Sequence, residues 1–229
     1  MKIKGFQKTT LLDFPGKVAA TVFTGGCNFR CPFCHNASLV LNPNEVDDID
    51  EEYVLSYLKK RKGILDGVCI TGGEPLLQKD ILSFVKKIQE IGLLIKIDTN
   101  GSYFDALNDI INSGCVDYVA MDIKNSFVKY AETIGLPEMP ENIRKSISAI
   151  MSSGIDYEFR TTIVKEFHNI EDIESISREI KGAKRYFLQK FTDSGELIAD
   201  GYSAHSDEEM KNMLDVALKY VPNAQLRGV

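Results

Sequence analysis

Three cysteines lie close together near the start of the sequence, in the segment GGCNFRCPFCHN (25–36). Cys27, Cys31 and Cys34 have C-x3-C-x2-C spacing, and the chain has only two other cysteines. A structural zinc site needs four ligands in a closed shell, and the nearest fourth candidate, His35, directly follows Cys34, which disfavours zinc. A cubane iron–sulfur cluster held by three thiolates leaves one iron open to a ligand from outside the protein. The spacing therefore favours a cluster that carries out chemistry over a structural metal knuckle.

Polar residues and glycines follow several apolar runs farther along the chain. The segment TGGEP (71–75) ends one run, DTNG (98–101) ends the next and MDIK (121–124) ends a third. Each segment alone is typical of a turn or a helix cap. Because the carboxyl ends of parallel strands meet at one rim, where barrel enzymes build their sites, the three together favour a ligand site. The candidate residues are Gly72, Gly73, Glu74, Pro75, Asp98, Asn100, Asp122 and Lys124.

Two further polar residues lie inside apolar runs. Arg160 falls within YEFRTTIV (157–164), where an unpaired guanidinium would be costly to bury. Two interpretations remain open, since Arg160 either pairs with a structural carboxylate or faces the carboxylate of a ligand. Gln189, within RYFLQKF (185–191), is also a polar residue inside an apolar run, and it is a weaker signal because it is uncharged.

The elements that must position these residues follow a regular βα rhythm. Apolar stripes of helical period separate six short, almost continuously apolar runs, which are typical of strands buried on both faces. Repeated βα units imply a parallel sheet with right-handed crossovers. Because a closed eightfold barrel typically needs about 250 residues, we predict an α/β fold, a partial (β/α)6 barrel of parallel strands with outer helices. The predicted strands cover 17–25, 67–71, 93–99, 116–123, 157–164 and 185–191.

Residues that are typical of helix ends support this division into βα units. Glycines stand where left-handed helix C-caps are expected, at Gly92, Gly114, Gly154 and Gly182. The capping box of Ser206 and Glu209 predicts a final helix. The segment ASLVLNPNEVDDIDEE (37–52) is the longest irregular stretch and is predicted to be a loop. Since no linker or repeat interrupts the chain, we predict a single domain over residues 1–229.

Composition and charge limit the classes of partner and the cellular compartment that we expect. The net charge is −6 and no basic face is evident, which argues against nucleic acid as a partner. No run of about 18 apolar residues and no signal peptide is present, so we expect no membrane association and a cytoplasmic location. Cys69 and Cys115 are predicted to be ordinary buried thiols. The three histidines, His35, His168 and His205, are predicted to be surface or loop residues without a role.

The cysteine triad resembles the cluster motif of the radical S-adenosylmethionine (radical SAM) superfamily, and TGGEP resembles its Gly-Gly-Glu-Pro stretch. The opening TTLLDFPGKVAATVFTGGCNFRCPFCHN is similar to that of activating enzymes for glycyl radical enzymes, above all those of anaerobic ribonucleoside-triphosphate reductase. This resemblance implies a [4Fe-4S] cluster held by the three cysteines and S-adenosylmethionine bound at the open iron. It implies that Phe33 packs beside the adenine, that Glu74 accepts a hydrogen bond from the methionine ammonium, and that the other rim residues line the cofactor site.

The same resemblance implies the reaction. The reduced cluster would cleave S-adenosylmethionine to methionine and a 5′-deoxyadenosyl radical, and that radical would take a hydrogen from a backbone glycine of a partner enzyme. A flavodoxin or a ferredoxin would supply the electron. The expected function is therefore a radical SAM activase, with anaerobic ribonucleoside-triphosphate reductase as its partner.

Three alternatives remain open. A pyruvate formate-lyase activating enzyme is disfavoured because that group presents a histidine near the end of the sixth strand, where this chain has FLQKFTDSG. A second alternative is a radical SAM enzyme with a small-molecule substrate, such as 7-carboxy-7-deazaguanine synthase. The third is a metal-binding or electron-transfer protein without catalysis.

Overall fold

The computed structural model describes residues 1–229, which form one eight-stranded sheet whose strand order follows the chain order. The first two strands pair antiparallel, and each later strand is parallel to the one before it. The first and last strands do not pair with each other, so the barrel stays open. The strands are β1 Ile3–Thr10, β2 Ala19–Thr24, β3 Gly67–Gly72, β4 Leu94–Thr99, β5 Tyr118–Asp122, β6 Asp156–Ile163, β7 Tyr186–Lys190 and β8 Ala224–Arg227.

The six predicted strands correspond to β2 through β7, and the predicted partial barrel of βα units is confirmed. The count of six strands is wrong, because β1 and β8 extend the sheet at its two edges. Much of β1 is exposed or half-buried, and β8 has only four residues. Neither strand therefore shows the continuous apolar run that marks a strand buried on both faces.

Eight helices connect the strands and cover the outside of the barrel. A short 3-10 helix, Pro75–Leu77, lies between β3 and the next helix. None of the helices is both long enough and apolar enough to span a membrane. The helices are α1 Ala37–Leu41, α2 Glu51–Lys60, α3 Ile81–Ile91, α4 Phe104–Asn112, α5 Tyr130–Ile134, α6 Asn142–Ser152, α7 Ile170–Glu179 and α8 Asp207–Leu218.

Two predicted helix signals are confirmed. The Ser206 hydroxyl accepts a hydrogen bond from the Glu209 amide at 3.2 Å, and the Glu209 carboxylate accepts one from the Ser206 amide at 2.8 Å. This capping box begins α8. Gly92 ends α3 with φ 86°, a left-handed conformation that costs a glycine little.

The segment 37–52 is not the continuous loop that the sequence predicts. It contains α1 and the first residues of α2. The Leu39 carbonyl in α1 accepts a hydrogen bond from the Gly26 amide at 2.8 Å, and the Asp50 carboxylate caps α2 by accepting from the Glu52 amide at 2.9 Å. A helix of five residues is too short to show a helical period in the sequence, so tertiary contacts rather than a pattern define α1.

The two faces of the sheet differ in polarity. The face beneath the helices is apolar, and Ile70, Ile97 and Phe159 are fully buried there. The inner face is closed at the amino ends of the strands by a small apolar cluster in which the rings of Phe14 and Tyr118 lie 6.0 Å apart. Polar and charged side chains occupy the inner face above this cluster, and they build the site.

Candidate active site

The three predicted cysteines follow β2 in a segment that we call the cysteine loop, residues 25–36. All three are free thiols that line one cavity of about 460 Å³ at the carboxyl ends of the strands. Burial raises the pKa of Cys27 to about 11 and that of Cys31 to about 12. These thiols therefore keep their protons at neutral pH until a metal replaces them.

The arrangement of the thiols fits a cluster better than a single metal ion. No group of three metal-binding side chains converges on one point, as the ligands of a mononuclear site must. A cubane cluster binds each thiolate to a different iron, so its ligands are spread around it. Three soft thiol ligands facing one cavity are the donor set that such a cluster requires, and the site fits the cofactor expected from the sequence.

The glycines of TGGEP bring the end of β3 against the end of β2. Gly72 has φ 114°, and a Cβ atom there would overlap the backbone of Thr24. A Cβ atom at Gly73 would overlap the carbonyl oxygen of Gly26. The Gly73 amide donates to the Thr24 carbonyl at 2.9 Å and the Glu74 amide to the Gly26 carbonyl at 2.8 Å. These glycines hold the base of the cysteine loop, and both also line the cavity.

Glu74 is 1% exposed and joins two strand ends. Its carboxylate accepts hydrogen bonds from the Thr99 hydroxyl at 2.7 Å, the Asn100 amide at 2.7 Å and the Leu76 amide at 3.0 Å. Burial raises the pKa of Glu74 to about 7, against the three hydrogen bonds that favour the ionised form. A carboxylate has about four acceptor positions, so the protein already fills most of them. The interaction of Glu74 with a cofactor ammonium stays a prediction.

The loop after β4 reaches directly to the cysteine loop. The Asn100 side-chain amide donates to the Asn28 side chain at 3.0 Å and lies 3.8 Å from the Cys27 sulfur. The Ser102 hydroxyl donates to the side-chain oxygen Oδ1 of Asn100 at 2.6 Å and accepts from the side-chain nitrogen Nδ2 of Asn28 at 2.9 Å. This closed network fixes the position of Cys27. The sequence shows no signal for Asn28 or Ser102, because neither ends a strand.

A chain of alternating charges crosses the inner face from β4 to β6. Arg160 donates from Nε to Asp122 at 2.8 Å and from Nη1 to Asp98 at 3.1 Å. Lys124 pairs with Asp122 at 3.0 Å, and Lys96 pairs with Asp98. Of the two open interpretations of Arg160, the pairing with protein carboxylates is the one observed. We call these five residues the charge ladder.

The charge ladder keeps its carboxylates ionised although they are buried. Burial alone would raise the pKa of Asp122, but the charges of Arg160 and Lys124 hold it well below its ordinary value. Arg160 and Lys96 lower the pKa of Asp98 in the same way. Lys96 is not among the site residues predicted from the sequence, although a lysine inside the apolar run LLIKIDT is the same kind of signal as Arg160.

Phe33 lies between the core and the cavity. Its side chain is 4% exposed and packs on Phe167 with 5.6 Å between ring centroids, so it belongs to the core. It also lines the cavity beside Cys34. Packing against an adenine ring stays a prediction.

The cavity brings together every site residue predicted from the sequence except Pro75. Pro75 is buried and begins the 3-10 helix after Glu74. The residues that line the cavity without having been predicted include His35, Asn36, Thr71, Thr99 and Thr162. The predicted residues that line it are Cys27, Cys31, Phe33, Cys34, Gly72, Gly73, Glu74, Asp98, Asn100, Asp122, Lys124, Arg160 and Gln189.

Two of the three histidines lie in loops, one of the two locations predicted, but they are buried and hydrogen-bonded rather than exposed and without a role. His168 and His205 are both buried. The Val164 amide donates to Nδ1 of His168 at 3.1 Å, so the proton of this imidazole is on Nε2, which donates to the Lys124 carbonyl at 2.8 Å. Burial lowers the pKa of His168 and keeps it neutral. His205 in turn donates from Nε2 to the His168 carbonyl at 2.8 Å. The pair supports the backbone of Lys124.

Residues 21–180 match the family model of the radical SAM superfamily. The chain belongs to the radical SAM superfamily. Enzymes of this superfamily use a [4Fe-4S] cluster and S-adenosylmethionine, so these are the cofactors of this protein, as the cysteine motif predicts.

The relatives of this chain differ in how much of their length is similar to it. A Methanocaldococcus jannaschii protein, provisionally named a glycyl-radical enzyme activating enzyme, is 30% identical over 99% of this chain and 96% of its own length. The pyruvate formate-lyase-activating enzyme of Clostridium pasteurianum is 26% identical over 81% of this chain and 85% of its own length. A 7-carboxy-7-deazaguanine synthase of Thermoplasma acidophilum is 35% identical, but over 45% of this chain and 46% of its own length.

The fold agrees with that of a solved structure that binds S-adenosylmethionine. Streptococcus suis SuiB bound to S-adenosylmethionine superposes with a TM-score of 0.69 at 16% identity, over 88% of this chain. This radical SAM chain spans 48% of SuiB. At that identity the likeness concerns the fold alone.

Proposed function

We propose that this radical SAM enzyme is an activase that generates a glycyl radical on a partner enzyme, and that the partner is an anaerobic ribonucleoside-triphosphate reductase. The observation that carries the proposal is the likeness to a provisionally named activating enzyme along almost the whole of both chains. The likeness to a small-molecule enzyme, 7-carboxy-7-deazaguanine synthase, covers less than half of either chain.

The charges of the cavity support a peptide substrate. In the charge ladder the three cations Lys96, Lys124 and Arg160 face two carboxylates, which leaves one surplus positive charge. The carboxylates of Asp13 and Glu74 also line the cavity, so the cavity as a whole offers no surplus of positive charge for a triphosphate. The cavity wall also contains uncharged polar side chains that are suitable for hydrogen bonds to peptide groups, at Asn36, Thr71, Thr162 and Gln189.

The roles of the chain's own residues follow from this arrangement. Cys27, Cys31 and Cys34 hold the cluster, and the rim residues at the ends of β3, β4 and β5 bind and orient S-adenosylmethionine. When bound, the cluster and S-adenosylmethionine would supply one-electron radical chemistry, the removal of a hydrogen atom from the partner's glycine. The buried aromatic side chains of Phe29 and Phe33, which line the cavity, would help to exclude water from this region.

The open edge of the barrel supports access by a protein loop. Because β1 and β8 do not pair, the barrel wall is interrupted between them. A glycine in a folded partner can reach the cavity only if its loop leaves the partner's own core, so binding is coupled to local opening of the partner. A flavodoxin or ferredoxin as electron donor and a cytoplasmic location remain predictions.

The choice of reductase over pyruvate formate-lyase depends on the end of β7. No histidine lies in β7, and Gln189 is the polar residue that faces the cavity there. The resemblance of the segment LLDFPGK to the reductase activases points the same way. Pyruvate formate-lyase stays the second candidate because its activating enzyme matches most of this chain.

Electron paramagnetic resonance tests the proposal directly. The reconstituted, reduced protein with S-adenosylmethionine is expected to produce the doublet of a glycyl radical on anaerobic ribonucleotide reductase from the same organism, and a weaker one or none on pyruvate formate-lyase. The Cys31→Ala variant is the control without a cluster. If the reductase gives no radical while a small pterin-like molecule stimulates release of 5′-deoxyadenosine, the enzyme acts on a small molecule instead.

A further inference from the structure

The side-chain amide of Asn100 uses all of its hydrogen-bonding positions within the protein. Its Oδ1 atom accepts from the Ser102 backbone amide at 2.9 Å and from the Ser102 hydroxyl at 2.6 Å. Its Nδ2 atom donates to Oδ1 of Asn28 at 3.0 Å and to the Cys27 sulfur at 3.8 Å. A side-chain amide has two acceptor lone pairs and two N–H donors. Asn100 therefore commits one of its two N–H groups to a cluster ligand.

The orientation of this amide is fixed by a partner that cannot change its role. The Ser102 backbone N–H can only donate, so the atom of Asn100 that it meets must be the oxygen. Exchanging the oxygen and the nitrogen of Asn100 would place two donors against each other at that point. Asn100 is 6% exposed, so little water can compete for these positions. The second N–H is therefore directed at the Cys27 sulfur before any cluster is bound.

A second N–H donor meets the same sulfur from within the cysteine loop. The Phe29 backbone amide donates to the Cys27 sulfur at 3.3 Å. A protonated thiol is a weak acceptor, whereas a metal-bound thiolate accepts charge-assisted hydrogen bonds. Both hydrogen bonds should therefore strengthen when Cys27 binds iron. Of the two donors, Asn100 is the one that a substitution can remove.

The backbone of Asn100 holds this donor in place from the opposite direction. Its N–H donates to the buried carboxylate of Glu74 at 2.7 Å. Glu74 in turn accepts from the Thr99 hydroxyl at 2.7 Å. The ends of β3 and β4 thus fix the main chain of Asn100, while Ser102 and Asn28 fix its side chain. A donor held from both sides needs no rearrangement when the cluster is loaded.

We propose that Asn100 is a positioning residue for the cluster, donating a hydrogen bond from Nδ2 to the iron-bound sulfur of Cys27 and thereby raising the reduction potential of the cluster. Hydrogen bonds to the sulfurs are among the factors that set the potential, because an N–H dipole directed at sulfur stabilises the more negative, reduced state. The proposal rests on the cluster of a radical SAM enzyme and not on the identity of the partner, so it can fail while the activase function stands.

The Asn100→Ala variant tests this role through the potential of the cluster. We expect it to bind iron after anaerobic reconstitution. Its midpoint potential should be more negative than that of the wild type, as measured without S-adenosylmethionine by redox titration of the reduced cluster's electron paramagnetic resonance signal.

Ser102→Ala is the matched control. It opens the same hydrogen-bond network but keeps the Ser102 backbone N–H and the Asn28 contact that orient the Asn100 amide. Its potential should equal that of the wild type. An unchanged potential in an iron-replete Asn100→Ala variant, or equal shifts in the two variants, would overturn the proposal.

A measurement on the wild type keeps the proposal testable if Asn100→Ala loses the cluster. Asparagine labelled with ¹⁵N only in its side-chain amide places the label at Nδ2 of Asn100. Pulsed electron paramagnetic resonance of the reduced cluster should then detect a ¹⁵N nucleus coupled through the hydrogen bond to sulfur. The labels of Asn28 and Asn36 are directed elsewhere, to the Ser102 hydroxyl at 2.9 Å and the Gly72 carbonyl at 2.7 Å. The coupling should persist in Ser102→Ala, and its absence from the wild type would overturn the proposal.

Discussion

Gly73 and Gly26 pack so closely that a Cβ atom on residue 73 would overlap the carbonyl oxygen of residue 26. Gly26 directly precedes the first cluster cysteine, and its carbonyl also accepts the Glu74 amide at 2.8 Å. The glycine pair of TGGEP therefore acts on the cluster through the backbone beneath the cysteine loop.

The Gly73→Ala variant should displace the base of the cysteine loop and reduce cluster assembly. The contact is with backbone, which cannot move aside as a flexible side chain would, and overpacking of this kind costs about 1–3 kcal/mol. Iron content and visible absorbance after reconstitution measure the effect. Gly114→Ala is the control, because Gly114 has φ 66° but no atom near its missing side chain. It should lose about 1–2 kcal/mol of stability from the left-handed backbone conformation and keep its cluster. Full iron loading in Gly73→Ala would contradict this prediction.

The cysteines should divide into two groups. Cys27→Ala, Cys31→Ala and Cys34→Ala should each prevent stable assembly of the cluster, because each removes one of three thiolates. Cys69→Ala and Cys115→Ala should leave the iron content unchanged, since both thiols are buried away from the cavity. Normal iron content in Cys31→Ala would refute the assignment of the three ligands.

Glu74→Gln should weaken binding of S-adenosylmethionine while leaving the cluster in place. The side-chain NH2 of glutamine cannot accept hydrogen bonds, so one of the bonds from Thr99, Asn100 or Leu76 is lost and the rim between β3 and β4 shifts. Loss of a hydrogen bond to a charged group costs about 1.5–3 kcal/mol. Calorimetric titration of the reconstituted protein measures the affinity, and unchanged affinity would limit Glu74 to capping the 3-10 helix.

The same substitution should change the pH dependence of stability. The folded-state pKa of Glu74 is raised from 4.5 to about 7, so the folded protein binds a proton that the unfolded chain releases between these values. The stabilising contribution of this group is complete below pH 4.5 and is lost as the pH rises to about 7. Each pKa unit corresponds to about 1.4 kcal/mol. The free energy of unfolding of the cluster-free wild type should therefore fall by a few kcal/mol over this pH interval, relative to that of Glu74→Gln. Parallel pH profiles would show that Glu74 titrates normally.

Arg160→Met should strongly destabilise the cluster-free protein. The substitution leaves Asp98 and Asp122 buried with only one lysine each, and breaking a buried ion pair from one side costs about 3–5 kcal/mol. Urea unfolding measures the loss. Arg144→Met is the matched control, since the pair of Arg144 with Glu179 is solvent-exposed and such pairs contribute about 0–1 kcal/mol. Equal losses in the two variants would mean that the charge ladder is well solvated.

The sequence predicts the part of the fold that depends on local pattern. Strands β2 through β7 are found because each is a nearly continuous apolar run, and the rim residues are found because parallel strands end at one edge. The edge strands β1 and β8 and the short helix α1 have no such pattern, and their pairing partners define them.

The parts of the site that the sequence does not reveal depend on contacts between distant segments. Asn28 and Ser102 meet only because two loops converge on Asn100. His168 and His205 are buried because the segment after β7 packs over the loop after β6, where the Lys165 amide donates to the Ser203 carbonyl at 3.0 Å. Neither burial nor hydrogen bonding of this kind can be inferred from the type of one residue.

The sequential strand order has a consequence for biogenesis. Each strand pairs with the strand made immediately before it, so the sheet can grow by one neighbour at a time as the chain leaves the ribosome. The cysteine loop emerges early, after β2, whereas Arg160 arrives with β6 and the segment that buries His168 arrives after β7. Until then Asp98 and Asp122 lack the cation that they share, and the cysteines lie at the edge of an incomplete barrel. We therefore expect iron delivery to compete with closure of the last third of the chain, and nascent chains to be most vulnerable to oxidation in that interval.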